Sequence, residues 1–379
     1  MINITQSTQL PPGCVFEQVT LNIQAANLNF NCNGAVFNGL RQIRRNAYGQ
    51  NYRPESAPQG VAFRIHKNQK DPKPLRNITL QNCQILNYVH GVDIRVNLPD
   101  DTRNGLRQGK INEDQLRAQA PANIRIQNTR ILNSHGSGIF VYPYVTGLQF
   151  LNSSIKGAGG PGLYLDAGSR QARIENSVFE GNGYASYDGR KRERSARRSA
   201  ASRREGLAID ASSGNLVRNN TFRNNGDGGV YLYKNCWEGA NRDPRSLPRP
   251  EGANYNRIEG NRFIRETTGI WLAERADRDL SGFDCGDPLL RQEGGDRYYR
   301  DYARGNRVLN NRFEQVGTGI RVMDDGNVIQ NNVFSQSTGA DIDIGSRIRA
   351  LTGDPVHGNS LQNNRPSRPD GIRYLYGAR

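Results

Sequence analysis

Six residues able to move protons or hold charge recur in one short context. Asp166 follows GLYL, Asp210 follows GLAI, Tyr233 and Lys234 end GVYLYK, and Glu274 with Arg275 follows GIWLA. Two carboxylates drawn from Asp166, Asp210, Glu274 and Asp324 are what glycosidic hydrolysis needs, one as acid and one as base or nucleophile. A second chemistry uses other members of the set. Lys234 or Tyr233 could take the C5 proton of a uronate while Arg275 or Arg321 neutralises its carboxylate, giving β-elimination. Reprotonation from the opposite face would make the same parts a C5-epimerase. Asp166 and Asp210 occupy equivalent positions and should repel unless a basic neighbour, a shared proton or a cation compensates. That makes them possible metal ligands, with Ca²⁺ suited to paired carboxylates. A solvated salt-bridge patch of these acids with Lys234 and Arg275 is the plain structural alternative.

These residues sit on short strands, each opened by glycine: GVDIRV, GIFVYP, GLYLDA, GLAIDA, GVYLYK, GIWLAE, GIRVMD and the related ADIDIG. Alternation turns the aliphatic positions inward, Leu163 with Leu165 and Ile270 with Leu272 among them, and the residues between them outward. The outer face then carries Asp93 and Arg95, Phe140 and Tyr142, Tyr164 and Asp166, Ala208 and Asp210, Tyr231 and Tyr233, Trp271 and Ala273, Arg321 and Met323. Stacked about 4.8 Å apart, they form two ladders. Exposed aromatics on such a strip read as a surface on which sugars stack. Phe140, Tyr142, Tyr164, Tyr231 and Trp271 are thus candidate substrate-binding residues, with Arg321 and Asp324 one step along and His135 at the edge.

A repeat positions the strands. Ile85, Ile131, Ile155, Phe179, Phe222, Phe263, Phe313 and Phe334 form a column whose steps of 24, 24 and 21 residues are single coils of a solenoid. The longer steps are one coil plus an insertion. Two residues earlier runs Cys83, Thr129, Ser153, Ser177, Asn220, Asn261, Asn311 and Asn332, read as an inward ladder whose amides satisfy buried backbone groups. The reading is an all-β, right-handed parallel β-helix of about ten coils occupying the whole chain as one domain. Insertions at about 98–122, 236–255 and 276–304 leave one edge of the strip and one at about 184–205 enters the other, so loops should wall a groove.

Repeats such as NNTFRNNGDGGVYLY, GNRFIRETTGIWLA and NNRFEQVGTGIRVM, with the opening GCVFEQVTLNIQAANLNFNCNGAVFNG, resemble the pectin-lyase-like right-handed β-helix superfamily. The resemblance implies the fold. It leaves the reaction open among polysaccharide lyases, uronate epimerases, glycoside hydrolases, phage tailspikes and adhesins. The Asp-Pro-His of alginate epimerases, the Gly-His-Gly with Arg-Ile-Lys of polygalacturonases and the Arg-x-Pro-x-x-Arg of pectate lyases are missing; NSHGSG around His135 is a partial match.

Net charge is +15, which favours a polyanion. Much of the excess lies in RKRERSARRSAASRR at 190–204, equally readable as a solvated loop. No nucleic-acid-binding motif accompanies the charge, so an acidic polysaccharide is the expected partner. No run is long and apolar enough for a membrane span. The start, MINITQSTQL, lacks a secretory pattern, so any signal is absent or removed. Pairing Cys14 with Cys32 and Cys236 with Cys285, leaving Cys83 free, is the expected cysteine arrangement and fits an extracellular or periplasmic protein; five reduced thiols in a cytosolic protein are the alternative. The function expected from all this is a carbohydrate-active enzyme, foremost a lyase or epimerase. A glycoside hydrolase is the first alternative and a non-catalytic glycan-binding or attachment protein the second.

Overall fold

Three short strands per turn, each with its middle or flanking aliphatic residues turned inward, stack into three parallel sheets of 12, 11 and 10 strands. The computed structural model describes residues 1–40, 60–68, 75–187, 194–197 and 202–379. Each strand pairs in parallel with its equivalent one coil away, as Leu163 with Leu207 and Phe222 with Phe263. The expected columns are therefore the actual register. Phe179, Phe222, Phe263, Phe313 and Phe334 stack inside at centroid spacings of 4.7–5.1 Å with nearly coplanar rings. Around them lie Leu163, Leu165, Ile209, Val230, Leu232, Ile270, Leu272, Ile320 and Val322, all buried.

The corner between the second and third sheets must repeat at every coil, and asparagine makes that possible. Asn220, Asn261 and Asn311 each donate their backbone N–H to the side-chain oxygen of the next rung, Asn261, Asn311 and Asn332, at 2.9–3.0 Å. Their own amides donate back to the carbonyls of Ile174, Val217 and Ile258. The residue before each takes a left-handed conformation, Asn219 and Asn310 at φ 55° and Gly260 at 64°, which Asn and Gly tolerate best. Two further ladders were not foreseen. One runs Asn215, Asn256, Asn306, Asn327. The other runs Asn182, Asn225 and ends on Glu266.

The insertions between the coils are not all loops. Residues 98–122 form two short helices, Asp100–Arg107 and Glu113–Gln119, the second capped by Asn112 through a reciprocal bond with Gln115. Hairpins occur at Leu289–Glu293 with Asp296–Tyr299 and at Ala185–Tyr187 with Arg194–Arg197. Most of the basic run at 190–204 lies outside the described residues. Among those described, no helix is long and apolar enough to cross a membrane.

One cysteine pair differs from expectation. Cys236 pairs with Cys285, but Cys32 pairs with Cys83 across a Cα separation of 4.9 Å, leaving Cys14 as the free thiol. Rung stacking decides this: Asn31 pairs with Gln81, so Cys32 falls against the corner of the next coil that carries Cys83. Nearness in sequence was the wrong guide. Alkylation of the unreduced, denatured protein should label one thiol, at Cys14; labelling at Cys83 would contradict this pairing.

Glu266 is fully buried and accepts from both the N–H and the amide of Asn225, at 3.1 and 2.7 Å. Burial pushes its carboxyl from 4.5 up to about 8. A carboxyl raised in the folded state binds more protons folded than unfolded, so its contribution falls as pH rises from about 4.5 through 8, by up to about 1.4 kcal/mol per pH unit. Elsewhere on the ladders one amide oxygen accepts the same two donors, as Asn256 does from Asn215. Glu266→Gln should therefore fold and flatten the decline in denaturant midpoint between pH 5 and 8; an unchanged slope would show that Glu266 does not carry it.

Candidate active site

The outward positions of the first sheet align as foreseen: Asp93, Phe140, Tyr164, Ala208, Tyr231, Trp271 and Arg321 are successive register partners. Their surroundings differ from the expected open ladder. Tyr231 and Tyr233 are 1% exposed and pack with Ala208 against Tyr164 and Trp271. Aromatics that large are better covered by each other than left in water. Ala273 and Met323, expected outward, are also buried and join the core cluster. The groove is consequently divided into two clefts with the central rung closed between them.

The closure is ionic. Asp210, fully buried, accepts from the Tyr164 hydroxyl at 2.5 Å, from the N–H and amide of Asn235 at 3.0 and 2.8 Å, and from Arg249 at 2.8 Å. The same Arg249 Nη1 lies 2.9 Å from Asp166. The charge that these stacked acids require is thus a guanidinium from the 236–255 insertion, seated between them where a Ca²⁺ was considered. Burial, above all, raises the Asp166 carboxyl. Among the described residues no cluster of three or more His, Cys, Asp or Glu could hold a metal ion. Sequence reasoning missed Arg249 because it sits mid-insertion, in RPEG, with no periodic position to mark it.

Lys234 is buried with its ammonium on Asp287, and its N–H donates to Asp301 at 2.6 Å. It lines neither cleft and is not the free base expected. Asp301 also accepts the N–H of Arg275 at 2.7 Å, and burial pushes its carboxyl up to about 7. Asp324, expected to touch substrate, is fully buried under Arg300, Arg304 and Arg349. His135 is buried in a rung turn, its backbone N–H on the Tyr88 carbonyl, and lines neither cleft.

The acidic cleft lies on the far side of the closed rung. It has a volume of about 380 Å³ and gathers Glu205, Asp227, Glu274, Tyr231 and Trp271 with Arg204 and Arg275. Glu205 is held by the Tyr233 hydroxyl at 3.1 Å and by Arg204 at 3.2 Å. Glu274 is paired with Arg275 and, at 3.3 Å, with Arg278. Arg275 lies over the Tyr233 ring at 4.3 Å. Burial, then the charges of Glu205 and Glu274, push the Asp227 carboxyl up to about 6. Burial likewise holds the Tyr233 phenol well above its ordinary value. Past Trp271 the cleft continues into a space of about 470 Å³ lined by Glu274, Arg278, Arg321, Asp343 and Tyr376. Glu205 and Asp227 were overlooked because they precede the strand-opening glycines, at the edge opposite to the recurring acids.

The sequence matches the family model for a right handed beta helix region over residues 59–193. No curated protein matches it. Among solved structures it resembles a mutant of the periplasmic alginate epimerase AlgG, at 12% identity over 95% of this chain and 70% of that one, TM-score 0.51. It also resembles the pre-mature bacteriophage phi29 gene product 12, at 13% identity over 96% of this chain and 47% of that one, TM-score 0.50. The catalytic domain of an aspartate-to-alanine variant of a GH87 alpha-1,3-glucanase in complex with nigerose is a third, at 12% identity over 99% of this chain and 59% of that one, TM-score 0.49. The chain is a right-handed parallel β-helix. In this β-helix, the acidic cleft brings three carboxyls, an aromatic wall and open volume together.

Proposed function

We propose that this β-helix is a carbohydrate-active enzyme that hydrolyses an acidic polysaccharide in the cleft of Asp227, Glu274 and Trp271. The observation that carries the reading is a carboxyl with a raised pKa, Asp227 at about 6, beside a carboxylate, Glu274, paired with arginine. Two acids in such different environments are suited to the separate roles of acid and base. Asp227 donates to the leaving oxygen, and Glu274 serves as base or nucleophile. Glu205, locked to Tyr233 and Arg204, orients that wall. Trp271 offers its indole to a sugar ring.

Arg321 supports the acidic substrate. Its guanidinium lies 4.6 Å from the Trp271 ring centroid, with no carboxylate or hydrogen-bond acceptor among the described residues. The neighbouring Asp343 is already bound by Arg373 at 2.7 and 2.8 Å. A uronate carboxylate would supply the missing partner.

β-Elimination or epimerisation is less well served. Its base would be Lys234, committed to Asp287, or Tyr233, whose buried phenol is harder to deprotonate. Of its two candidate electrophiles, Arg275 is committed to Glu274 and Arg321 alone is free, so the missing part is the base. A place of action outside the cytoplasm accords with the two disulfides.

A screen of acidic and neutral polysaccharides, read both for new reducing ends and for the ultraviolet chromophore of an unsaturated uronate, tests the reaction. Reducing ends alone are expected, and the chromophore would instead establish a lyase. Asp227→Asn should lower kcat by about a hundredfold or more. Because the acid must carry its proton, kcat should fall as pH rises through about 6. Arg321→Ala should raise KM for the acidic polymer while leaving kcat nearly intact. Binding without any change to the glycan would leave an attachment protein.

A further inference from the structure

The second cleft, about 440 Å³, lies between the 98–122 and 236–255 insertions and above the rungs of Arg95, Tyr142 and Asp166. It shares no lining residue with the acidic cleft. Its walls are fixed to each other. Arg107 donates to the carbonyls of Ala240, Asp243 and Ser246, Arg103 to that of Arg245, and Arg107 stacks 5.2 Å from Trp237. A cleft held open by charge-assisted bonds between two insertions is preformed, so binding into it would cost little ordering.

We propose that this cleft is a second carbohydrate site, which takes a neutral sugar through its hydroxyl groups. The assignment rests on which polar groups remain uncommitted. Asp166 uses Oδ1 for Arg249 and for the N–H of Ala167, and its Oδ2 has no hydrogen-bond partner among the described residues. The Glu238 carboxyl has none either, and burial raises it. Arg249 uses only Nη1, on Asp166 and Asp210, so Nε and Nη2 remain as donors. A carboxylate and a guanidinium side by side match the alternating acceptor and donor demands of neighbouring sugar hydroxyls. Leu98, Pro143, Leu247 and Pro248 supply the apolar contact that a sugar's C–H faces require.

Charge selects the neutral sugar. The other arginines of the cleft are spent: Arg95 on Asp93, Arg245 on Asp243, and Arg103 on Asp100 at 3.9 Å, with its donors on the carbonyls of Leu98 and Arg245. Among the described residues, a uronate would meet Asp166 and Glu238 with no free cation beyond Arg249, which is already shared by Asp166 and Asp210. The opposite holds at Arg321, across the closed rung. The rungs of Asp166 and Tyr233 are two steps apart, about 10 Å, so the sites are close but separate.

Titration with the methyl glycosides of glucose, galactose and mannose, and with glucuronate, distinguishes the sites by ligand-observed and protein-observed NMR. At least one neutral glycoside should bind to wild type and to Asp227→Asn and Trp271→Ala alike, so the result does not depend on hydrolysis at the acidic cleft. Glu238→Ala should weaken that binding about tenfold, the loss of one hydrogen bond to a charged acceptor. Leu247→Trp, which fills the cleft without removing a polar partner, should abolish it, and serves if Glu238→Ala does not fold. The proposal is overturned if no neutral glycoside binds, if glucuronate binds this cleft more tightly than the neutral sugars, or if Trp271→Ala removes the binding that Leu247→Trp leaves intact.

Discussion

A backbone that turns a corner at the same place in every coil leaves the same N–H and C=O groups unpaired at every coil, and the solution adopted here is an amide that answers both. Each buried Asn accepts from the rung before it and donates to a carbonyl, so one side chain satisfies two backbone groups and copies the register to the next coil. Orphaned polar groups inside the solenoid would each cost about 1–3 kcal/mol, and there would be one set per turn. The Phe stack fills the space the ladder leaves, but it tolerates sliding along its own axis. The directional bonds of the amides do not. Register therefore depends on such directional bonds, made by the hydroxyls of Thr129, Ser153 and Ser177 in the earlier coils and by asparagines from Asn220 on, and every functional side chain inherits its position from that register.

Constant register has a consequence for the outer strip. Equivalent positions are held one rung apart whatever their charge, so Asp166 and Asp210 cannot move away from each other. The solenoid answers with its insertions, since the coils themselves are committed. Arg249 is delivered between the two acids, Asp301 gathers the N–H groups of Lys234 and Arg275, and Asp287 takes the Lys234 ammonium. The disulfide from Cys236 to Cys285 joins the two insertions that supply these groups. The long excursions are thus counter-ion carriers as much as walls, and in neutralising the central rung they close it.

That division explains what sequence could and could not reveal. Period-two alternation and the column of Phe179 to Phe334 are local and repetitive, so fold, faces and rung partners were legible. The Asn column was legible for the same reason. Arg249 occupies no periodic position, and only three-dimensional closure brings it to the strip; Asp227 and Glu205 lie just before the strand-opening glycines, outside the alternation that marks the faces. The assumption that outward means exposed failed for Tyr231 and Tyr233, because alternation sets direction but says nothing of how the rings of neighbouring rungs cover one another, or of Arg204 and Glu205 closing over the Tyr233 hydroxyl. Pairing Cys14 with Cys32 failed likewise: the relevant distance is one rung, and 51 residues of chain separate Cys32 from Cys83.

The net positive charge also changes meaning once the coils are stacked. Half of the arginines on the strands of the second and third sheets are paired with acids of their own or an adjacent rung: Arg173 and Arg218 with Glu175, Arg223 with Glu180, Arg257 with Glu259, Arg262 with Glu314. Exposed pairs of this kind contribute little to stability, but they cancel part of the field that a bare count of charges suggests. A diffuse attraction for any polyanion is therefore a poorer account of the excess than recognition by particular uncommitted groups. Arg321 is such a group, because rung register places Trp271 beneath it on one side and leaves an already neutralised Asp343 on the other. The same register thus generates selectivity: where neighbouring rungs supply a counter-ion the surface is silent, and where they do not, a charge is left for a ligand.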